Sequence, residues 1–123
     1  MRDNLIREEL NTFIKKLNDE SIDSQAIVIV EGKRDVEALK ALGYKGSLME
    51  YYKGINLDNL INSLKKYKKV ILLFDLDKHG RLLTAKLTRA LESYIKVDLF
   101  YRRKLVEIAK GRFTTIQNLS KYS

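Results

Sequence analysis

The sequence contains no cysteine and no proline, and it has a single histidine. Without cysteine the chain can form no disulfide and no thiolate zinc site, and thiol catalysis is excluded. The single histidine argues against a catalytic zinc site, so any bound metal would be a hard ion with oxygen ligands. No apolar run is long enough to cross a bilayer, and the first residues form a charged, helix-patterned segment rather than a signal peptide. These absences predict a cytoplasmic protein that does not act in a membrane.

The length of the chain indicates how many domains it forms, and its charge indicates which kind of partner it binds. With 123 residues, 45% of them hydrophobic, and no linker or repeat, the chain is expected to form one domain over 1–123. It carries 24 lysines and arginines against 16 acidic residues, a formal net charge of +8. This excess favours a polyanionic partner such as nucleic acid. The lysine-coated surface of a heat-adapted protein would produce the same composition.

Hydrophobic periodicity predicts strands that alternate with helices. The predicted strands are 26–30, 47–52, 70–74 and 97–100. An amphipathic helix is predicted at the N-terminus, at about 3–18. A second helix follows the first strand, where Asp35 caps it and Gly43 stops it, and a third is predicted near 57–67. A fourth helix begins at Gly80, and a basic helical tail at about 102–121 is broken by Gly111. The lysine run Lys65, Lys66, Lys68 and Lys69 is interpreted as a solvated helix end. This alternation is typical of an α/β fold with about four parallel strands and helices on both faces.

Acidic residues follow two of the predicted strands. Glu31 follows the first strand, and Asp75 and Asp77 follow the third. Because ligands bind at the carboxyl ends of parallel strands, these three carboxylates are expected to meet in one crevice. Carboxylates suit Mg²⁺, which protein carboxylates and substrate phosphates usually hold together. Glu31 would be either a third ligand or a general acid or base.

Each candidate also has a structural interpretation. Asp75 or Asp77 alone is more often a turn or cap residue than a ligand, although the pair favours a metal site. Asp35 is by default a helix cap, and tuning of Glu31 or a second metal is the minority interpretation. His79 is interpreted as a solvated loop residue beside the acids. The neighbouring tyrosines, Tyr51 and Tyr52, either stack on bases or pack at the end of a strand.

Both motifs together carry a resemblance to a known family. An apolar strand ending in Glu31-Gly32-Lys33-Arg34-Asp35, followed by an apolar strand ending in Asp75-Leu76-Asp77-Lys78-His79-Gly80, resembles the Toprim domain of topoisomerases, bacterial primases and several nucleases. Within that superfamily the first motif is most similar to ribosomal RNA maturases and to small stand-alone proteins, mostly archaeal. The segment from Asp98 to Leu105 also resembles the stand-alone group. The resemblance implies a compact, Rossmann-like Toprim fold.

The resemblance also implies roles for individual residues. It favours Glu31 as the general acid or base, with Asp75 and Asp77 as ligands of Mg²⁺, which Mn²⁺ can replace. Supporting roles are expected for Gly32, Asp35 and Gly80. Lys33, Arg34, Lys78 and Arg81 flank the acids and are candidates for binding nucleic-acid phosphates, and so are Arg102 and Arg103, to which the resemblance extends.

Three functions are consistent with these motifs. The first is a minimal magnesium-dependent nuclease or phosphotransfer domain acting on DNA or RNA phosphodiesters. The second is a non-catalytic module that binds metal and nucleic acid within a larger complex, with a protein partner or as a homodimer. The third is a phosphatase of the haloacid dehalogenase type, because Phe74-Asp75-Leu76-Asp77 resembles the nucleophile motif of that family; the following Lys78-His79-Gly80 departs from the Gly-Thr expected there.

Overall fold

Strands and helices alternate along almost the whole chain in the computed structural model, which describes residues 2–123. The strands are β1 (Ala26–Val30), β2 (Ser47–Glu50), β3 (Lys69–Leu72) and β4 (Lys96–Asp98). The helices are α1 (Arg2–Asp23), α2 (Lys33–Ala41), α3 (Leu57–Leu64), α4 (Lys78–Leu91) and α5 (Phe100–Ala109), and a C-terminal 3-10 helix covers Ile116–Tyr122. The predicted α/β class is confirmed.

The four strands form one parallel sheet in the order β2-β1-β3-β4. Val28 of β1 pairs with Leu48 of β2 on one side and with Ile71 of β3 on the other. The chain therefore moves outward from β1 to β2 and then returns to the opposite side of β1 to form β3. In open α/β sheets such a reversal opens a crevice at the carboxyl ends of the two strands, and ligands bind there.

Helices cover both faces of the sheet, which explains why its central strands are apolar throughout. Alternate residues of β1 enter separate cores: Val28 packs with α1, α2, α5 and the 3-10 helix, and Ile29 packs with α3 and α4. Since each helix buries one face and leaves another in water, its sequence is amphipathic. Within residues 2–123 no helix has the length and the apolar composition that a membrane span requires.

Helix α1 is longer than the predicted 3–18, because it continues to Asp23. Its last turns are polar in sequence, but tertiary partners hold them. The Ser21 hydroxyl lies 2.6 Å from the hydroxyl of Tyr44, and Glu20 forms an ion pair with Lys69 at 2.9 Å. Lys69 is itself buried at the start of β3, so its interpretation as part of a solvated helix end is wrong.

The C-terminal segment differs from the continuous basic tail predicted at about 102–121. Helix α5 begins at Phe100, within the predicted fourth strand, because Asp98 Oδ1 accepts a hydrogen bond from the Phe100 N–H at 2.8 Å. It ends where Lys110 adopts a left-handed conformation (φ 46°), and Gly111 (φ 81°) turns the chain. The 3-10 helix then returns to the core through Ile116 and Leu119, which are fully buried.

Candidate functional site

The carboxyl ends of β1 and β3 bring Glu31 and Asp75 together. Glu31 directly follows β1, and its Oε2 accepts a hydrogen bond of 2.8 Å from the backbone N–H of Asp75. The pairing of the two strands continues to this point, because the Leu73 N–H donates to the Ile29 carbonyl. The two residues thus lie where the strand order reverses, which is the expected ligand-binding edge of the sheet.

The three predicted metal ligands each have a backbone partner. Asp75 Oδ1 accepts a 2.8 Å hydrogen bond from the N–H of Ile116, and Asp77 Oδ1 accepts one of 2.8 Å from the N–H of Gly80. Asp77 is therefore the N-cap of α4. Across residues 2–123 no three acidic or histidine side chains form a ready-made metal-binding group. Within residues 2–123 these three carboxylates thus lie near one another without forming a ready-made three-ligand site, and each has its own backbone donor.

Asp35 stabilises the start of α2 from inside the helix. The N-cap residue is Gly32, and the Asp35 carboxylate, three residues later, accepts a 3.1 Å hydrogen bond from the Gly32 N–H. This bond satisfies a backbone donor that would otherwise be exposed at the helix start. The carboxyl group is nevertheless buried, with only 6% of the residue exposed.

Burial and mutual repulsion raise the pKa values of three of these carboxyls. Burial, and after it the charge of Asp75, raise the pKa of Asp35 from 3.8 to about 6. Burial is also the main cause of the raised pKa of Glu31; the hydrogen bond from the Asp75 N–H opposes it, and the negative charge of Asp75 adds to it. The pKa of Asp75 is raised by burial and then by Asp77, although the Ile116 N–H opposes this. A bound cation would relieve the repulsion that these shifts record.

Arg102 lies behind the acidic residues rather than on an open surface. Its Nε donates to the Phe74 carbonyl at 3.2 Å, and its Nη2 donates to the Asp75 carbonyl at 2.6 Å. Burial lowers the pKa of the guanidinium, and the acidic residues around it oppose that effect. Arg102 therefore fixes the backbone that carries Asp75, whereas its neighbour Arg103 is exposed on α5.

The other basic candidates lie on two helix starts that face the same edge of the sheet. Lys33 and Arg34 are in the first turn of α2, and Lys78 and Arg81 are in the first turn of α4, all four exposed. Helix N-termini carry partial positive charge and attract anions. The structure thus places positive groups around the acidic residues on both sides of the crevice.

Gly80 permits the close contact between α4 and the loop before it. A Cβ atom at this position would lie 1.8 Å from the carbonyl oxygen of Asp75. Gly32 has the opposite surroundings: a Cβ there would meet nothing within 4 Å, so its backbone borders open space. Close packing thus requires a glycine at position 80, whereas Gly32 leaves open space beside the carboxyl end of β1.

Sequence reasoning missed a cavity of about 560 Å³ that adjoins Glu31. This cavity, called here the Tyr52 pocket, is lined by Glu31, Tyr51, Tyr52, Lys53, His79, Leu82, Leu83 and Lys86. His79, interpreted from sequence as a loop residue, lies in the first turn of α4 with Nε2 3.4 Å from Glu31 Oε1. The only signal in the sequence was the pair of tyrosines at the end of β2, since Leu82 and Lys86 look like ordinary helix positions.

Comparison with known proteins gives a family for this arrangement. The Toprim domain family matches residues 26–108. A UPF0292 protein of Pyrococcus abyssi is 38% identical over 93 residues, covering 75% of this chain and 70% of the relative. One of Methanocaldococcus jannaschii is 33% identical over 119 residues, covering 94% and 90%. One of Methanosarcina barkeri is 33% identical over 118 residues, covering 94% and 80%.

A solved structure supports the fold. A protein from Aquifex aeolicus superposes with a TM-score of 0.71 at 29% identity, covering 87% of this chain and 94% of the other. The sequence relatives named above are archaeal and include no ribosomal RNA maturase, so similarity to that group stays a prediction. Toprim domains generally bind a divalent metal ion, and the family is associated with nucleic acids. The chain belongs to the Toprim domain family, together with the archaeal UPF0292 proteins.

Proposed function

We propose that this Toprim domain is a magnesium-dependent nuclease or phosphotransfer domain that acts on a nucleic-acid phosphodiester. The observation that carries the proposal is the contact between Glu31 and Asp75 where the strand order reverses. Both carboxyls have raised pKa values because they are partly buried next to other acids. Perturbed carboxyls in a cleft are typical of catalytic or metal-binding sites.

The carboxylates fit a Mg²⁺ site that the substrate helps to complete. Asp75 and Asp77 would hold the ion. Within residues 2–123 each uses one carboxylate oxygen, Oδ1, to accept a backbone hydrogen bond, so the other oxygen would bind the ion. Mg²⁺ usually keeps several waters and takes one or two protein carboxylates together with substrate phosphates. Such a site needs no ready-made group of three ligands. When bound, the ion would neutralise negative charge on the phosphate.

Glu31 would transfer the proton. Its raised pKa brings the carboxyl closer to the working pH, where a group can both release and accept a proton efficiently. Oε2 accepts a hydrogen bond from the Asp75 N–H, which orients the side chain, and Oε1 lies 3.4 Å from Nε2 of His79, which lines the Tyr52 pocket together with Glu31. The open space beside Gly32 would let the substrate backbone approach this oxygen.

Phosphate binding would come from the two helix starts and their basic side chains. Lys33, Arg34, Lys78 and Arg81 are exposed around the crevice, and Arg103 would extend this surface along α5. Phosphate contacts of this kind position a nucleic acid without reading its sequence. Affinity for DNA or RNA should therefore fall steeply as salt rises.

The decisive experiment compares cleavage and binding in matched variants. Glu31→Gln keeps a carbonyl oxygen for the Asp75 N–H but cannot exchange a proton, so cleavage should fall about a hundredfold or more while binding survives. Asp75→Asn should lose both cleavage and the binding of Mn²⁺ measured by calorimetry. Glu37→Gln, an exposed glutamate on α2, is the control and should cleave like the wild type. Full cleavage by Glu31→Gln would contradict the proposal and, with an inactive Asp75→Asn, would favour a phosphatase-type nucleophile.

A second candidate is a non-catalytic module that binds metal and nucleic acid within a larger assembly, with another protein or as a homodimer. The structural contacts of the carboxylates favour it, because Asp77 caps α4 and because Glu31 and Asp75 each bind a backbone N–H, and these roles need no catalysis. In that case the wild type would bind labelled DNA or RNA in a salt-dependent manner but would cleave neither with Mg²⁺ nor with Mn²⁺. The cytoplasmic location stays a prediction under both functions.

A further inference from the structure

The Tyr52 pocket adjoins Glu31, and it lies between the carboxyl end of β2 and the first turns of α4. Its volume, about 560 Å³, falls within the range of about 300–1,000 Å³ that is usual for small-molecule sites. Glu31 forms part of its wall, so a ligand in the pocket would touch the residue that we assign to proton transfer. The pocket is therefore continuous with the proposed active site.

The two tyrosines of the pocket are not equivalent. Tyr51 is partly buried, and its ring makes a T-shaped contact with the ring of Phe74 in the core at a centroid distance of 6.1 Å. Tyr52 is 63% exposed, and it faces the same cavity as Leu82, which is 57% exposed. Tyr51 thus supports the wall, whereas Tyr52 and Leu82 present apolar surface to water. Exposed apolar surface of this kind marks a binding site when it lines a cavity.

Two lysines lie beside this apolar surface. Lys53 and Lys86 both line the pocket, and within residues 2–123 neither forms an ion pair. A ligand that matches the pocket would have a flat apolar body for Tyr52 and Leu82 and anionic groups for the two lysines. A nucleotide has both parts: its base stacks on aromatic rings, and its phosphates pair with lysines.

We propose that the Tyr52 pocket holds an unpaired nucleobase next to the phosphate that Glu31 acts on, so that the substrate is single-stranded nucleic acid. This inference rests on the proposed function and specifies its substrate class. A base inside a duplex is stacked between its neighbours and cannot offer its face to Tyr52 without leaving the stack. The same pocket therefore disfavours duplex substrates.

The test is binding of labelled oligonucleotides measured by fluorescence anisotropy, with chelator present so that no cleavage occurs. The wild type should bind a single strand more tightly than a duplex of the same sequence. Tyr52→Ala should weaken single-strand binding about tenfold, whereas Tyr52→Phe, which keeps the ring, should bind like the wild type. Tyr94→Ala is the matched control, because Tyr94 is also 63% exposed but lies before β4, at the opposite end of the sheet.

The inference would be overturned if Tyr52→Ala and Tyr94→Ala bound equally well, if the duplex were preferred, or if no oligonucleotide bound. These results are separable from failure of the proposed function, which depends on cleavage by Glu31→Gln. A loss of cleavage in Glu31→Gln together with unchanged binding by Tyr52→Ala would keep the nuclease and discard the base pocket. Weakened binding in Tyr52→Ala with full cleavage by Glu31→Gln would keep the pocket and discard the mechanism.

Discussion

Replacement of Asp35 by asparagine should stabilise the protein at neutral pH. The Asp35 carboxyl is buried close to Asp75, and these surroundings raise its pKa from 3.8 to about 6. At pH 7 the folded protein must therefore hold a charge that its surroundings disfavour. Asparagine removes the charge but keeps a side-chain oxygen that can accept the hydrogen bond from the Gly32 N–H.

The pH dependence of this effect has a definite sign. The folded state binds the Asp35 proton more tightly than the unfolded state, so this group favours folding fully below pH 3.8 and loses that contribution as the pH rises through about 6. A pKa raised from 3.8 to about 6 corresponds to about 3 kcal/mol. The asparagine variant should accordingly match the wild type near pH 4 and exceed it above pH 7 by up to about 3 kcal/mol, or about 10 °C in Tm.

Urea unfolding of both proteins across this pH range would measure the difference. Asp23→Asn, at the exposed end of α1, is the control and should change the free energy of unfolding by less than about 0.5 kcal/mol at every pH. A pH-independent difference between Asp35→Asn and the wild type would refute the reasoning, because it would mean that Asp35 titrates alike in both states. Lower stability of the variant at pH 8 would show that the hydrogen bond to Gly32 outweighs the cost of the buried charge.

Three further substitutions test other parts of the structure. Gly80→Ala places a methyl group against the Asp75 carbonyl and should lower the free energy of unfolding, measured by thermal unfolding, by about 3 kcal/mol or more. Gly32→Ala should leave Tm unchanged, and equal Tm values for the two variants would contradict the packing at α4. Lys69→Met leaves the carboxylates of Glu20 and Asp98, which lie 2.9 and 3.0 Å from Nζ, without their cation. It should therefore destabilise by about 3 kcal/mol in urea unfolding, and a neutral effect would mean that the pair is dispensable. Arg102→Ala should lower the free energy of unfolding by about 1.5–3 kcal/mol, because two backbone carbonyls lose a charged donor. Arg103→Ala should preserve stability and weaken only the binding of nucleic acid at low salt. The reverse pattern would refute the roles assigned to the two arginines.

The alternation of strands and helices was predictable because its signals are local. The apolar run Ala26–Val30 identifies a strand covered on both faces, and the acids after it and after β3 must reach the same edge of a parallel sheet. Asp77 shows the limit of such reasoning. Its position fits both a metal ligand and a helix cap, and the structure shows the cap.

The burial of Lys69 and the C-terminal boundary of α1 were predicted wrongly, because both depend on residues distant in the chain. Lys69 stands in a run of lysines that looks like a solvated helix end, yet the carboxylates of Glu20 and Asp98, 49 and 29 residues away in sequence, hold it in the interior. The polar end of α1 breaks the apolar period, but contacts with Tyr44 and Lys69 keep it helical. A local pattern carries no information on such partners.

The sequence by itself determined the fold class, the family resemblance and the residue types at the candidate site, because hydrophobic period and short motifs are properties of neighbouring residues. Only the tertiary structure decided what each of those residues contacts. The donor that binds Asp75 comes from Ile116, 41 residues later, and the guanidinium that holds its carbonyl comes from Arg102, 27 residues later. The Tyr52 pocket likewise exists only where the end of β2 meets the second turn of α4. Hydrogen bonds and cavities form between surfaces that folding brings together, so no local pattern records them.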